Sequence, residues 1–510
     1  MLPTMQQNAT KTGFVDAGTD RTVTFGDHLA RVCRAADGIH RLLDVSPADR
    51  IAVLSLNSVA FLELWHASLL GAAVMNPLNL RFSPDELAFV LSDSETEVCF
   101  VDPTFAGVID AVRERTSLRQ VVLLGEGDHP CDLRYDELVA AGEERLPVEP
   151  EEDQPAVLIY TGGTTGRPKG VVLDQRAEVL NQYHLAMRIP WHSEAPFLIQ
   201  TPMFHGASML GIAGAPMFGV SSVVLPAFEP GAALAAFETY EIGSTVMVPT
   251  MIAMLLGHES FTPDRLKSVR RIIYGASPMP SALLERLLTA LPDAEICQGY
   301  GMTEAATILT ILEDREQRAM TRPGSAGRAL PGVTLAVRGP DDEDLAAGEV
   351  GEICARGGNF MVEYLNRPDE TAAAIHDGWY HSGDVGYLDE DGYVYLVDRA
   401  KDMIISGGEN VYSVEVENAI ASHPAVAQVA VIGIPHELWG EAVHAVVVLR
   451  PGEEASEDDL IAFARTTIGG YKLPRSVAFR TEPLPMSGAM KVLKRELRAP
   501  YWEGLERAVN

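Results

Sequence analysis

Cysteine is scarce in this sequence, and no two cysteines stand close enough to form a CxxC pair. The 510 residues contain five cysteines: Cys33, Cys99, Cys131, Cys297 and Cys354. Zinc ribbons and disulfide frameworks require closely spaced or even-numbered sets of cysteines. Both are therefore excluded, and the pattern is typical of a protein kept in a reducing compartment. We expect a cytoplasmic location.

Positive charge is scarce as well. Lys and Arg number 40 against 71 Asp and Glu, so the formal net charge is −31. A nucleic-acid interface needs an excess of Lys and Arg to contact phosphates, and anionic membrane surfaces attract the same residues. The charge balance therefore argues against nucleic acid as a partner and against a general attraction to membranes.

Long uncharged runs are almost absent, with one exception. Residues 195–228 contain no Asp, Glu, Lys or Arg, and a run of that length is able to span a bilayer. Four prolines and four glycines interrupt it, which in lipid would leave backbone polar groups without hydrogen bonds. We therefore expect buried core segments and no stable membrane insertion. The first residues lack a basic start followed by an apolar run, so no signal peptide is predicted.

Strand-like and helix-like segments alternate along most of the chain. An apolar strand at 51–56 precedes a helix at 59–70, and similar strands recur at 97–101, 121–124, 156–160, 171–173, 244–248 and 271–274. This alternation predicts an α/β architecture with parallel strands. From residue 348 onward the pattern changes to short strands with turns such as Asp391-Gly392, which favours a hairpin.

A separate, smaller α+β unit is predicted after Asp398. Its pattern has helices at 414–422 and 456–467 and strands at 429–434, 444–449 and 476–480. Residues 464–498 carry eight basic and two acidic side chains, a local excess in an acidic chain. Such a surface is either an ordinary solvated face or one that contacts polyphosphate. We expect two domains, 1–400 and 401–510.

The strongest motif is the run 160–170, with the sequence YTGGTTGRPKG, between two predicted strands. Glycines allow backbone N–H groups to face an anion, hydroxyls add donors, and a lysine adds a charge. Pro168 precedes Lys169, whereas a Walker loop has glycine there. The run therefore predicts a phosphate-binding loop of a different kind. Its candidate residues are Thr161, Gly162, Gly163, Thr164, Thr165, Gly166 and Lys169.

Five further motifs follow in order: PMFHG at 202–206, QGYGMTE at 298–304, WYHSGD at 379–384, DRAKDMIISGGEN at 398–410 and PMSGAMK at 485–491. With these motifs the whole chain resembles the AMP-forming adenylating superfamily. That superfamily includes acyl-CoA synthetases, adenylation domains of peptide synthetases and luciferases. In the pattern of its residues the sequence is most similar to bacterial fatty-acyl-CoA ligases.

The resemblance implies a fold and a two-step reaction. The implied fold is a large N-terminal α/β domain with stacked sheets and a small barrel-like subdomain, followed by a small mobile α+β C-terminal domain. In the first step, ATP with Mg²⁺ and a carboxylic acid give acyl-adenylate and pyrophosphate. In the second step, CoA displaces AMP. The implied partners are therefore a small carboxylic acid, ATP and CoA, and the sequence leaves a homodimer open.

The resemblance also implies a role for each motif residue. The loop residues Thr161 to Lys169 would hold the β- and γ-phosphates, and Glu304 would bind Mg²⁺, a cation that prefers carboxylate oxygen. Thr303 and Lys491 would contact the α-phosphate, and His205 would lie at the acyl pocket. Asp384 and Arg399 would bind the ribose. The adenine would lie against Gly275, Ala276, Ser277 and Tyr300. Taken alone, each of these residues also has an ordinary structural interpretation; for His205 the alternative to a contact with the acyl group is a buried core histidine.

Other residues are implied for the second step and for the acid. Lys401 would be the hinge, Gly407 and Gly408 the loop of the thioester-forming state, and Trp439 and Lys472 the CoA side. The expected acyl pocket includes Val248, Met302 and Ile308, which are apolar and favour a fatty or aryl monocarboxylate. The acceptor stays open between CoA and an amine, a carrier protein, or a pathway that activates nitrite. A non-catalytic nucleotide-binding protein is a third hypothesis.

Overall fold

The computed structural model describes residues 1–161, 167–277, 279–399, 402–406, 409–436, 438–487 and 492–503. Within these residues no helix is both long and apolar enough to cross a membrane. The uncharged run 195–228 instead supplies two buried strands, Phe197–Ile199 and Ser222–Val224, and a π-helical segment at Leu210–Gly214. The expectation that this run lies in the core is confirmed.

The described residues form a larger sheet of fourteen strands. In spatial order its strands are Thr334–Arg338, Gly351–Arg356, Trp379–Leu388, Tyr393–Arg399, Gly327–Ala329, Thr310–Leu312, Glu295–Tyr300, Arg271–Gly275, Ser244–Met247, Phe197–Ile199, Ser222–Val224, Thr12–Asp16 and Arg21–Thr24, with Ile375–His376 beside Trp379–Leu388. Strands from Glu295–Tyr300 to Thr12–Asp16 are parallel, and the first six are antiparallel to their neighbours. The strands expected in a barrel-like subdomain therefore continue one edge of this sheet.

A second sheet contains eight described strands, all of which precede residue 400. In order its strands are Glu363–Tyr364, Lys169–Asp174, Pro155–Thr161, Val74–Pro77, Arg50–Leu54, Val98–Val101, Gln120–Leu123 and Leu133–Arg134. One apolar core contains residues of both sheets, among them Val53 and Ile311, together with Phe61 and Trp65 of a helix. The two sheets are therefore stacked around shared helices, as expected for an α/β fold.

Helices are interspersed with the strands of both sheets along the chain. The helices that precede residue 400 are Leu2–Gln7, Phe25–Leu43, Val59–Leu69, Pro84–Asp93, Ala106–Arg113, Tyr135–Ala141, Gln175–Arg188, Ala215–Met217, Pro230–Thr239, Pro249–Gly257, Ser281–Ala290, Asp314–Arg318 and Pro368–Ala374. Local sequence sets several of their starts. Ser83, for example, accepts a hydrogen bond from the Glu86 backbone while the Glu86 side chain returns to Ser83, which is a capping box.

The C-terminal unit has a sheet and a core of its own. Its described strands are Glu409–Val411, Ile404–Ser406, Gly440–Leu449, Val426–His436 and Ser476–Arg480, and its helices are Ser413–Ala421, Glu457–Ala464 and Lys494–Arg498. The sheet packs through Val443 and Val447 onto the helix residues Val416, Ile420 and Leu460. The predicted α+β pattern is confirmed, and the strand 476–480 has the predicted bounds. The helix expected at 456–467 ends earlier, at Ala464.

Candidate functional site

Four adjacent parallel strands of the larger sheet end at one edge, and several predicted site residues lie at or after these ends. The strands are Phe197–Ile199, Ser244–Met247, Arg271–Gly275 and Glu295–Tyr300. His205, Val248, Ala276 and Met302 follow the four strands in that order. In open α/β sheets, ligands bind outside the carboxyl ends of the strands. The topology therefore gathers motifs that lie about a hundred residues apart in sequence.

Close backbone contacts at this edge leave no room for a side chain at Gly275 or Gly301. A Cβ atom added at Gly275 would lie 2.3 Å from the carbonyl oxygen of Gly299, and one at Gly301 would lie 2.1 Å from that of Thr307. Ala276, the next residue of the predicted adenine-binding segment, has a φ of +70°, which disfavours residues with a Cβ. The chain thus turns away from the sheet directly after the strand, and Ser277 follows the turn.

Tyr300 and Asp384 form a hydrogen-bonded pair. The Tyr300 hydroxyl donates to Oδ2 of Asp384 at 2.8 Å, and both residues are only 8% exposed. The Ser382 hydroxyl accepts the backbone N–H of Asp384 at 3.1 Å. The structure therefore brings the predicted adenine-stacking ring and the predicted ribose-binding carboxylate together. Arg399 pairs with Asp384 in strand register, but its side chain lies outside the described residues.

The turn that carries Thr303 and Glu304 is held from two sides. Ala306 and Thr307 have φ angles of +51° and +111°, a backbone that non-glycine residues adopt only when surrounding contacts impose it. The Asn181 amide donates to the carbonyl of Ile308 at 2.7 Å, and the Asn359 amide donates to that of Ala305 at 2.9 Å. Neither asparagine belongs to a recognisable motif; for Asn181 the available signal was a polar residue on the buried face of a helix.

His205 and Gly206 lie against the same turn. The Thr307 hydroxyl donates to the carbonyl oxygen of Gly206 at 2.9 Å. A Cβ atom at Gly206 would come within 3.5 Å of the Thr303 hydroxyl oxygen. The segment after His205 therefore lies against Thr303, the residue predicted to contact the α-phosphate.

Glu304 is connected to the phosphate-loop lysine through a tyrosine. The Tyr364 hydroxyl donates to Oε1 of Glu304 at 2.9 Å, and the Lys169 ammonium lies 5.2 Å from the centre of the Tyr364 ring. Lys169 also forms an ion pair with Glu370 of the helix Pro368–Ala374. Neither Tyr364 nor Glu370 was predicted from the sequence, because neither belongs to a motif with recognisable chemistry.

Two paired antiparallel strands flank the predicted phosphate loop. Thr161 ends the strand Pro155–Thr161 and pairs with Lys169, the first residue of Lys169–Asp174. The predicted strand–loop–strand arrangement is therefore present. Several predicted residues lie outside the described residues: Gly162, Gly163, Thr164, Thr165, Gly166, Lys401, Gly407, Gly408 and Lys491.

The predicted acyl-pocket residues are largely buried at the same edge. Val248 is 6% exposed, Ile308 is 5% exposed, and Met302 is partly buried. A Cβ atom at Gly299 would lie 3.5 Å from Cδ1 of Ile308, so Ile308 packs against the end of the strand Glu295–Tyr300. These side chains are apolar, which suits a hydrocarbon substituent.

The predicted CoA-side residues lie in the C-terminal unit. The Trp439 ring stacks on His436 at 4.2 Å between ring centres, and the Arg475 guanidinium lies 4.3 Å from the centre of the Trp439 ring. The Lys472 ammonium is 2.7 Å from both carboxylate oxygens of Glu415. Trp439 and Arg475 thus form a cationic aromatic stack, while Lys472 already has an acidic partner.

Two sequence families match the chain. The AMP-binding enzyme family matches residues 3–365, and the AMP-binding enzyme C-terminal domain matches residues 415–491. Feruloyl-CoA synthase of Amycolatopsis sp is 39% identical over 481 residues, 94% of each chain. Long-chain-fatty-acid–CoA ligase FadD13 of Mycobacterium tuberculosis is 35% identical over 488 residues, 96% of this chain and 95% of its own. The crystal structure of ATP-bound MatB from Rhodopseudomonas palustris is similar with a TM-score of 0.88 and 27% identity, covering 97% of both chains.

Proposed function

The chain belongs to the AMP-binding enzyme family, and we propose that it is an AMP-forming acyl-CoA ligase for an apolar monocarboxylic acid. The observation that carries the proposal is the set of contacts Glu304–Tyr364–Lys169, which connects the carboxyl edge of the larger sheet to the first residue of the strand Lys169–Asp174. The Tyr300–Asp384 pair lies at the same edge. The pair fits a nucleoside, and the contacts fit a triphosphate with a divalent cation.

The first half-reaction brings two anions together. A carboxylate oxygen of the acid attacks the α-phosphorus of ATP, the bond to the bridging oxygen of the β-phosphate breaks, and pyrophosphate leaves. Lys169 and the residues of the loop 162–166 hold the β- and γ-phosphates, while Thr303 contacts the α-phosphate. Lys491 contacts the substrate carboxylate and the α-phosphate, where it offsets the developing negative charge.

The residues present fit Mg²⁺ and the nucleoside. The Glu304 carboxylate is a hard oxygen donor of the kind that Mg²⁺ prefers, and Tyr364 holds one of its oxygens. A Mg²⁺ ion held there would supply positive charge beside the phosphates. Asp384 and Arg399 hold the ribose hydroxyls, Tyr300 stacks on the adenine, and the chain at 275–277 passes beside the base.

The second half-reaction uses the C-terminal domain, residues 401–510. The thiol sulfur of CoA attacks the acyl carbonyl carbon, and the bond to the AMP phosphate oxygen breaks. The domain rotates about Lys401, which removes Lys491 and brings in the loop at Gly407 and Gly408. The Trp439–Arg475 stack supports CoA binding on this side, because aromatic rings and arginine suit an adenine and its phosphates. Lys472 contributes charge once Glu415 releases it.

The acid is expected to be fatty or aryl. Val248, Met302 and Ile308 supply apolar surface without a basic side chain for a second carboxylate. The names of the two relatives support both chemistries, since one is a feruloyl-CoA synthase and the other a long-chain-fatty-acid–CoA ligase.

Product analysis by mass spectrometry tests the proposal. The enzyme is incubated with MgATP and a panel of short-, medium- and long-chain and aryl acids, with and without CoA. We expect AMP, pyrophosphate and one class of acyl-CoA. Acyl-adenylate that accumulates without thioester would redirect the search to an amine, a carrier protein or nitrite. No pyrophosphate with any acid would contradict catalysis altogether.

The variant Lys491→Ala tests the domain rotation. We expect it to abolish adenylate formation and to spare thioester formation from supplied acyl-adenylate, because Lys491 belongs to the first half-reaction only. Equal loss of both half-reactions would contradict this assignment.

A further inference from the structure

Tyr364 lies between two functional groups that come from different parts of the chain. It belongs to the short strand Glu363–Tyr364, which pairs with the strand that begins at Lys169. Its own backbone N–H donates to the Thr371 hydroxyl at 3.0 Å, and the residue is only 8% exposed. A tyrosine fixed by strand pairing and by a helix has one well-defined position.

The Tyr364 hydroxyl holds the carboxylate that we assign to Mg²⁺. It donates to Oε1 of Glu304 at 2.9 Å. A carboxylate can only accept a hydrogen bond, so the Tyr364 hydroxyl is the donor in this contact. The backbone beside it is also tied down, since the Met361 N–H donates to the Glu304 carbonyl oxygen at 2.7 Å. Glu304 is therefore oriented through both its side chain and its backbone.

The ring of the same residue lies beside the phosphate lysine. The Lys169 ammonium is 5.2 Å from the ring centre, within the range of a cation–π contact. Strand pairing restricts the Lys169 backbone, and the ring restricts where its ammonium group lies. The hydroxyl and the ring of Tyr364 thus touch two different functional groups.

We propose that Tyr364 is a positioning residue with two separable actions: its hydroxyl orients Glu304 toward the divalent cation, and its ring holds Lys169 toward the phosphates. The proposal rests on the function proposed above. It follows from the geometry because the hydroxyl of this one side chain contacts the carboxylate while its ring contacts the ammonium group. Groups that orient a metal ligand typically change metal affinity about 10- to 100-fold when removed.

Two substitutions separate the two actions. Tyr364→Phe removes the hydroxyl and keeps the ring. We expect the Mg²⁺ concentration for half-maximal adenylation to rise about tenfold or more, with the KM for ATP at saturating Mg²⁺ unchanged. Tyr364→Leu removes both groups, so we expect the KM for ATP to rise as well.

Calorimetry provides a readout that does not depend on turnover. Titration of the enzyme with ATP in Mn²⁺ or in excess EDTA measures the contribution of the cation to nucleotide affinity. For Tyr364→Phe we expect the ratio of ATP affinities with and without Mn²⁺ to decrease. The factor should equal the increase in the Mg²⁺ concentration for half-maximal adenylation. An unchanged ratio would overturn the proposal.

Tyr135→Phe is a matched control. The Tyr135 hydroxyl donates to Oε2 of Glu63 at 2.9 Å, and both residues are buried. This variant loses the same kind of buried hydrogen bond, so we expect a similar loss of stability and an unchanged Mg²⁺ dependence. An equal change in the Mg²⁺ dependence of both variants would overturn the proposal, because the effect would then be structural.

A Glu304→Gln background tests the same idea if Tyr364→Phe lowers stability. With the carboxylate already removed, Tyr364→Phe should cause no further change in Mg²⁺ dependence, since the two residues act as one unit. Additive effects would overturn the proposal. Failure of the proposed function itself is distinguishable, because the wild-type enzyme would then release no pyrophosphate with any acid.

Discussion

The Tyr300 hydroxyl donates a 2.8 Å hydrogen bond to Asp384, although the two residues belong to strands that are not neighbours in the sheet. Three strands lie between Glu295–Tyr300 and Trp379–Leu388. In a flat sheet, four strand spacings amount to about 19 Å, more than these two side chains span. The antiparallel part of the sheet therefore curls over the edge where the site lies, which accounts for the barrel-like character that the family resemblance implied.

Asp384→Asn tests the role of this carboxylate. Asparagine still accepts the Tyr300 hydroxyl, but it replaces one acceptor oxygen by an NH₂ group that cannot accept a ribose hydroxyl. Hydrogen bonds to charged groups contribute ~1.5–3 kcal/mol, so we expect the KM for ATP to rise about 10- to 100-fold. Steady-state kinetics at saturating acid measures the change. Asp391→Asn, in an exposed turn of the same hairpin, is the control, and an equal KM in both variants would contradict the assignment.

The ion pair between Lys169 and Glu370 predicts that removal of the Glu370 charge lowers the KM for ATP, whereas Asp384→Asn raises it. Glu370 places a negative charge beside the lysine that we assign to the phosphates. Partly exposed ion pairs contribute up to ~1 kcal/mol, so we expect Glu370→Gln to lower the KM for ATP up to about fivefold. The difference should shrink at high ionic strength. Glu363→Gln, exposed and nearby, is the control; a higher KM for Glu370→Gln would mean that the carboxylate orients Lys169.

The sequence predicted the residues whose chemistry lies within one short motif, such as Lys169, Glu304 and Asp384. Lys169 and Glu304 stand beside strand ends, which are predictable because glycine and apolar runs mark them. Tyr364 and Asn181 could not be predicted in the same way. Their neighbours in sequence carry no recognisable chemistry, and each acquires its contacts only through long-range pairing of strands and helices.

Gly275→Ala is expected to impair both stability and nucleotide binding. The new Cβ would lie 2.3 Å from the Gly299 carbonyl oxygen, so the two strands must separate at the site. Overpacking of this kind costs typically ~1–3 kcal/mol, measurable by urea unfolding, and the KM for ATP should rise with it. Gly107→Ala is the control: nothing lies within 4 Å of its Cβ in the helix Ala106–Arg113, so it should be neutral or stabilising.

Glu178 makes the stability depend on pH. It is 1% exposed, and its carboxylate oxygens have no hydrogen-bond partner among the described residues. Burial, and then the charge of Asp174, raise the pKa of Glu178 to about 8. Between its unfolded pKa of ~4.3 and this value, the folded state binds a proton that the unfolded state lacks.

The free energy of unfolding should therefore decrease by ~1.4 kcal/mol per pH unit in that interval through this group. Glu178→Gln removes the contribution. We expect the variant to gain stability relative to the wild type as the pH rises from 5 to 8, measured by urea unfolding at each pH. Other titrating groups contribute equally to both proteins. Parallel pH profiles would show that Glu178 does not remain protonated in the fold.

Arg81 connects the large domain to the segment that precedes Lys491. Its Nη1 atom donates to the carbonyl oxygens of Met486 at 2.9 Å and Ser487 at 2.8 Å. The Arg81 backbone N–H donates to the Asn79 side chain at 3.0 Å, which fixes the turn that carries the arginine. Met486 and Val492, which flank residues 487–491 in the sequence, pair as an isolated β-bridge.

Arg81→Ala is therefore expected to slow the first half-reaction. Without the two hydrogen bonds, each contributing ~0.5–1.5 kcal/mol net and more when the donor is charged, the segment before Lys491 spends less time against the large domain. We expect the single-turnover rate of adenylate formation at saturating ATP and acid to fall about tenfold, with the KM for ATP unchanged because Arg81 does not hold the nucleotide. Arg81→Lys should recover part of the rate. Arg115→Ala, which removes an exposed arginine paired with Asp85, should leave the rate unchanged, and an unchanged rate in Arg81→Ala would show that adenylation does not depend on this contact.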